Sequence, residues 1–383
     1  MLERINTEGC SESGLGLVPL CSQKAYGTIE AMKIAAEKKW LLAAGGVIGL
    51  VGALLAVSGN PANMGICVAC FIRDTAGALK LHAAPAVQYV RPEPIAILLG
   101  SFIISLARKE FSPRAGSSPV LRFFIGAMVM IGALVFLGCP LRMVLRIAGG
   151  DLNGVVGLLG FATGIGAGCI FLNRGFTLGR AHKTNKADGA ALPVAALVLL
   201  LLSIAVPALF ASSTSGPGSM RAPLLLALVS ALAVGMIAQR ARLCMAGGIR
   251  DAILLHDFNL LEGFAAIFAA ALVVNIVTGR FHLGFEGQPI AHAKHLWNFL
   301  GLFVVGLGSS MLGGCPLRQL IMAGEGSGDS AASILGMLVG AGISHSFGLA
   351  GAANDGPGLY GKIAVIACIV ILLAICIART EKE

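Results

Sequence analysis

Charge is what this chain has least of. Asp, Glu, Lys and Arg make up 12% of its residues, about half of the roughly 25% found in soluble domains, which excludes an ordinary soluble globule. Residues 1–39 have no apolar core ahead of a small-residue cleavage site, so no signal peptide is expected there. The ten cysteines lack the regular extracellular spacing of a disulfide framework. Cys67-Val68-Ala69-Cys70 reads as a redox pair or as half of a metal site. No second pair completes four ligands, so neither a metal nor any other cofactor is expected. Gly356 to Lys362 nearly spells a phosphate-binding loop, but Ile363 stands where Ser or Thr should hold magnesium and no strand precedes it. Hydrolysis of ATP is therefore not expected, and the chain is not read as an enzyme.

What fills the sequence instead is apolar. Hydrophobic residues reach 56%, and 52 glycines suit close helix packing in lipid, where small residues let backbones approach. These features predict an all-α polytopic membrane protein. Apolar runs fall at about 40–58, 94–107, 120–138, 154–171 and 191–211, then at about 223–239, 262–279, 297–313, 331–348 and 361–378. Several are near the lower limit of the ~20 residues a span needs, giving nine or ten spans. Ahead of them, residues 1–39 read as a cytoplasmic arm ending in a short juxtamembrane helix, Ile29–Lys39. The net charge of +9 has a topological explanation, since Lys and Arg collect in cytoplasmic loops; no nucleic-acid partner is expected. Basic loops 108–119 and 172–190 place both termini inside.

The chain repeats itself. Gly138-Cys139-Pro140-Leu141-Arg142 recurs as Gly314-Cys315-Pro316-Leu317-Arg318, at 315 − 139 = 176 residues. Cys67 to Asp74 aligns with Cys244 to Asp251, at 244 − 67 = 177, and Gly160, Gly164 and Cys169 align with Gly336, Gly340 and His345 at 176. Three landmarks in one order at one offset predict two copies of a unit, residues 40–211 and 212–383. Five spans separate matching positions, so the second copy should be inverted relative to the first, as in many transporters.

The motifs lie between spans, in segments too short or too polar to cross. Pro140 and Pro316 suit the first turn of a helix, where a missing N–H costs nothing. Gly-Cys-Pro-Leu-Arg thus predicts the mouth of a short re-entrant half-helix, tolerated at depth only where it is buried or lines a cavity. Such a mouth offers free N–H groups and a positive dipole end to an anion. Arg142, Arg318, Arg73 and Arg250 add charge nearby, with Asp74 and Asp251 as candidate partners. The thiols of Cys67, Cys139, Cys244 and Cys315 are polarizable and suit a soft atom such as sulfur or selenium. The Arg-Asp pairs read equally well as structural staples, and His345 reads first as a core histidine, then as a proton relay. Cys169, Cys368 and Cys376 read as small core hydrophobes, Cys10 and Cys21 as incidental. Cys67 with Cys70 keeps open a second function, that of a membrane thiol oxidoreductase or persulfide-transfer protein.

Cys67 to Asp74, Arg242 with Cys244 to Asp251, and both Gly-Cys-Pro-Leu-Arg copies resemble the YeeE/YedE family of bacterial membrane proteins. The likeness covers about residues 40–350. Two intact pentapeptides and an N-terminal arm look like the YedE-type branch linked to selenium transport. The resemblance implies an hourglass of inverted repeats in the inner membrane, through which a small sulfur or selenium species such as thiosulfate passes uncleaved. It further implies Cys67, Cys139, Cys244 and Cys315 as relay thiols, and a small cytoplasmic sulfur-carrier protein of the TusA type as partner.

Overall fold

The computed structural model describes the backbone of residues 20–380 and the side chains of residues 38–380. The arm's first nineteen positions, and the side chains of Cys10 and Cys21, lie outside the described residues. The chain divides into Met1–Trp40 and Leu41–Glu383; the packing reported below is that of the second unit.

The regular structure of the described residues is almost entirely helical. Seven come in the first half: α1 (Leu20–Val57), α2 (Val68–Ala78), α3 (Pro92–Ala107), α4 (Pro119–Phe136), α5 (Pro140–Ala148), α6 (Leu152–Asn173) and α7 (Lys186–Ala205). Seven follow in the second: α8 (Leu224–Arg240), α9 (Met245–Leu254), α10 (Asn259–Val277), α11 (His295–Leu312), α12 (Pro316–Gly324), α13 (Gly328–Ser346) and α14 (Leu359–Arg379). Their starts and ends follow the apolar runs because uncharged Leu-, Ile- and Val-rich stretches satisfy their backbone internally as helices. The separate helix expected at Ile29–Lys39 is instead part of α1, since no Pro or Gly interrupts the chain between Ile29 and Trp40.

Eight helical stretches are long and apolar enough to cross a membrane, making this an all-α polytopic membrane fold. That is fewer than the ten apolar runs. Helix α3 is apolar but only 16 residues long, and α13 is diluted by Asp329, Ser330, Ser333, Ser344 and His345. The four short helices α2, α5, α9 and α12 are 9 to 11 residues each, about half the length a span requires.

Packing ties the two halves together rather than leaving each to fold alone. Helix α6 packs on α11, α4 on α13, and α3 on α8. Glycines permit the closest of these approaches. A Cβ on Gly160 would strike the carbonyl of Phe299, and one on Gly336 would strike the carbonyl of Phe123. The two contacts are counterparts, since 336 − 160 = 176 and 299 − 123 = 176. Backbone blocks both, so no side-chain rotation relieves the collision. Gly160→Val is expected to destabilise the α6–α11 contact by roughly 3 kcal/mol or more, at the upper end of overpacking costs. Loss of monodisperse protein on size-exclusion chromatography in detergent would show it. Not every helix keeps its counterpart's place: α14 packs on α11 and α4, whereas α7 packs on α3 and α12.

Candidate functional site

Each of the four short helices begins at a cysteine. Cys67, Cys139, Cys244 and Cys315 are the N-cap residues of α2, α5, α9 and α12. Helix capping favours Ser, Thr, Asp and Asn, so capping alone does not account for sulfur at all four positions. Cys67 and Cys244 do cap: their Sγ atoms accept from the N–H of Cys70 at 3.4 Å and of Gly247 at 3.2 Å. Cys139 and Cys315 make no side-chain cap bond and are followed by Pro140 and Pro316 at the first helical position. All four thiols are buried and free of disulfides.

The helix mouths meet in pairs. Cys67 Sγ lies 3.8 Å from Cys139 Sγ, and the Cys244 and Cys315 thiols are likewise neighbours. The Cys139 sulfur faces the N–H groups of Val68 and Ala69, in the first turn of α2, and of Arg142 in the first turn of α5. The Cys315 sulfur faces the N–H groups of Met245 and Arg318, which open α9 and α12 in the same way. Each thiol pair therefore sits where two helix N-termini converge, a geometry that favours negative charge. Sequence reading anticipated the helix starts at Cys139 and Cys315, through the prolines that follow them; it anticipated neither those at Cys67 and Cys244 nor the pairing, because Cys67 and Cys139 are 72 residues apart.

Cys70 belongs to the first pair. Its Sγ donates to the carbonyl of Leu137 at 3.6 Å and receives Nη1 of Arg142 at 3.9 Å. Leu137, the C-cap of α4, has φ +65°, and the matching position in the second half is Gly313 at φ +78°. A left-handed leucine costs roughly 1–2 kcal/mol, so this turn is held against its local preference.

Arg142 is fully buried. Its Nε donates to the carbonyl of Asn63 at 3.3 Å and its Nη2 to the carbonyl of Ile290 at 3.1 Å. No carboxylate pairs with it among the described residues. The Ile290 carbonyl comes from residues 280–294, which cover this end of α5. His282 N–H donates to Gly149 and Leu152 N–H to Gly284. His292 Nε2 donates to the carbonyl of Val135 at 2.8 Å while its Nδ1 accepts from Lys294 at 3.3 Å. Burial holds the His292 pKa below its ordinary value, in keeping with that neutral ring. Ile290 itself has φ +51°, an outlier for a β-branched residue. The same segment carries a cavity of about 290 Å³, lined by Glu286, Gln288, His292, Lys294 and Asn354 among others.

The other arginines are engaged. Arg318 faces Glu325 through both Nη atoms, at 3.2 and 3.4 Å. Arg73 is bidentate to Asp74 Oδ1, at 2.9 and 2.7 Å, and Arg91 holds Oδ2 at 2.8 Å. Arg250 and Asp251 pair at 2.8 Å but are 38% and 18% exposed, against 3% and 0% for Arg73 and Asp74. His345 stands away from the thiol pairs, 4.6 Å from the ring of His82, with its Nε2 lacking a hydrogen-bond partner. Cys169, its counterpart, lies near Arg250 and Asp251.

Four groups escaped sequence reading. Arg91 shares Asp74 and also donates to the carbonyls of Pro217 and Met220. Arg146 and Asp151 form a buried pair at 2.6 Å beneath Arg142. Asn63 holds the Arg142 guanidinium, and Glu325 occupies that of Arg318. Arg146 was findable, lying four residues after Arg142 and so on the same helix face. Glu325 had the equivalent signal, two turns after Arg318.

A protein-family model described as sulphur transport matches residues 240–379. That stretch contains α9, α12 and the Cys244–Cys315 pair. No curated protein matches the chain.

Proposed function

We propose that this protein imports a small soft inorganic anion, a selenium compound or thiosulfate, along a route lined by Cys67, Cys139, Cys244 and Cys315. One observation carries the reading: paired thiols stand where helix N-termini converge, and at the first pair a buried arginine has no carboxylate partner among the described residues. Amide dipoles and Arg142 hold the charge, and the thiols contact the soft end through polarizable sulfur. A hard oxyanion would favour Ser, Thr and Lys in place of four cysteines. The sulphur-transport match over the second half and the eight candidate spans support transport across a membrane in preference to catalysis. The recurring helix order, and the counterpart contacts of Gly160 and Gly336, support two repeats over 40–211 and 212–383, inverted across the bilayer. In this arrangement α2 and α5 dip from one side, α9 and α12 from the other. Both termini are cytoplasmic, the membrane is the bacterial inner membrane, and a TusA-type sulfur carrier receives the anion inside. Arg73 with Asp74 and Arg250 with Asp251 support these mouths structurally, and so do Pro140 and Pro316 as helix openers. His345, beside His82 and away from the thiol pairs, has a supporting role only.

A thiol oxidoreductase or persulfide-transfer protein is the second reading, favoured by Cys70 lying with Cys67 and Cys139 in one cluster. Cys70→Ala separates the two. An anion route should keep at least about a third of wild-type uptake, because Cys70 caps no helix and the first mouth keeps its amides, Arg142 and both paired thiols. A redox pair would lose all activity. Uptake of labelled thiosulfate and selenite, in cells lacking their own importers, is the assay. Excess sulfate should compete poorly with whichever label enters; strong competition would count against selection for a soft atom.

A further inference from the structure

The two mouths differ in what holds the arginine. Glu325 lies seven residues after Arg318, at the C-cap of α12, and its two oxygens face the two Nη atoms of Arg318. Its backbone is fixed from the other side, where its carbonyl accepts from Ser112 N–H at 2.9 Å. In the first half the same spacing leads from Arg142 to Gly149, since 318 − 142 = 176 and 325 − 149 = 176. A side chain there would crowd Asn63: a Cβ on Gly149 would come within 2.7 to 3.0 Å of the tip of the Asn63 side chain. Asn63 in turn gives its carbonyl to Arg142. One guanidinium is thus held by neutral dipoles and keeps its charge for a ligand. The other carries a resident counter-charge.

We infer that Glu325 is a positioning residue that competes with the transported anion for Arg318, making the Cys244–Cys315 mouth the weaker of two anion sites. This rests on the transport reading above. The anion is held at the Cys67–Cys139 mouth by an uncompensated cation. At the second mouth it must displace a carboxylate that is tethered to the same helix and returns when the anion leaves. Net flux still follows the gradient. What the asymmetry sets is how long each mouth stays occupied, and hence the rate of release. No bond is made or broken.

The test uses the full-length protein with sulfur-35 thiosulfate as probe, measuring binding in detergent and uptake in proteoliposomes. Wild type should bind one equivalent tightly. Glu325→Gln should bind a second, on the order of tenfold more tightly than that mouth does in wild type. Its half-saturation concentration should fall and its maximal uptake rate should drop by a similar factor. Glu325→Asp, which keeps the charge, should behave as wild type. Arg318→Gln added to Glu325→Gln should erase the gained binding. A purely structural ion pair would lower the rate without any gain in binding, and that result overturns the inference, as does a Glu325→Gln protein that fails to elute as folded or one indistinguishable from wild type. Absence of binding and uptake by wild type itself counts against the transport reading, and the inference falls with it.

Discussion

Replacing Cys139 with serine should leave a folded protein that no longer takes up thiosulfate or selenite. The substitution separates two roles that sulfur plays at this position. As an N-cap, serine is better than cysteine, because its hydroxyl oxygen is a stronger acceptor for the N–H groups of the first turn. Cys139 makes no side-chain cap bond that the substitution would break, and Pro140 opens α5 without needing one, so α5 should keep its geometry. What serine lacks is polarizability and a thiol to match Cys67 at 3.8 Å. Loss of one preorganised contact in a buried site commonly costs on the order of a hundredfold in rate. Uptake should therefore fall by about that factor at unchanged protein yield and unchanged elution in detergent. Cys315→Ser should do the same. Wild-type uptake by Cys139→Ser would reduce the four cysteines to helix caps and remove the reason for a soft substrate.

Asp74→Ala should prevent accumulation of folded protein, whereas Asp251→Ala should be tolerated. Both aspartates follow an arginine in matching motifs, and from sequence the two pairs look alike. The structure separates them by burial and by partner count. Asp74 is fully buried and is shared by Arg73 and Arg91, both themselves buried. Removing it strands two cations where the solvent cannot reach them. Breaking one buried pair costs about 3–5 kcal/mol, against a total stability of about 5–15 kcal/mol, and here two arginines lose their carboxylate together. Asp251 has one ion-pair partner among the described residues, and that pair is partly exposed; screening reduces such pairs to about 0–1 kcal/mol. Membrane-fraction yield and thermal unfolding of the two variants side by side would measure the difference. Equal tolerance would mean that the buried Arg73–Asp74–Arg91 group is not a staple of the fold.

Much of this architecture is legible in the amino-acid sequence because a membrane simplifies the problem. A helix in lipid must be apolar and must satisfy its own backbone, so helix limits follow hydropathy closely: the runs at 120–138 and 297–313 are α4 and α11. Pro140 and Pro316 mark helix starts for a stereochemical reason that is independent of context, and the cysteine before each is consequently an N-cap. Legibility ends where distant segments meet. Nothing local to Cys67 says that it touches Cys139. Nor could Arg142 and Arg318, set in identical pentapeptides, be told apart from those five residues. Their difference lies in Glu325 and Gly149, and in Asn63 approaching from another element. Repetition also misleads in places. Helices α7 and α14 hold matching positions in the two halves but pack on different neighbours, so symmetry in sequence is not symmetry in every contact. Helix α1 extends through a stretch rich in lysine because a charged helix needs no break where it leaves the apolar region.

Reconstitution tests most directly whether the four thiols line a route for a soft anion. Purified protein in liposomes, given labelled thiosulfate or selenite outside, should load the lumen with one of them. Pretreatment with a membrane-permeant thiol-blocking reagent, or the Cys139→Ser and Cys315→Ser substitutions, should abolish that loading. Liposomes that load neither anion would contradict the account, and so would loading at full rate after all four thiols are blocked or replaced.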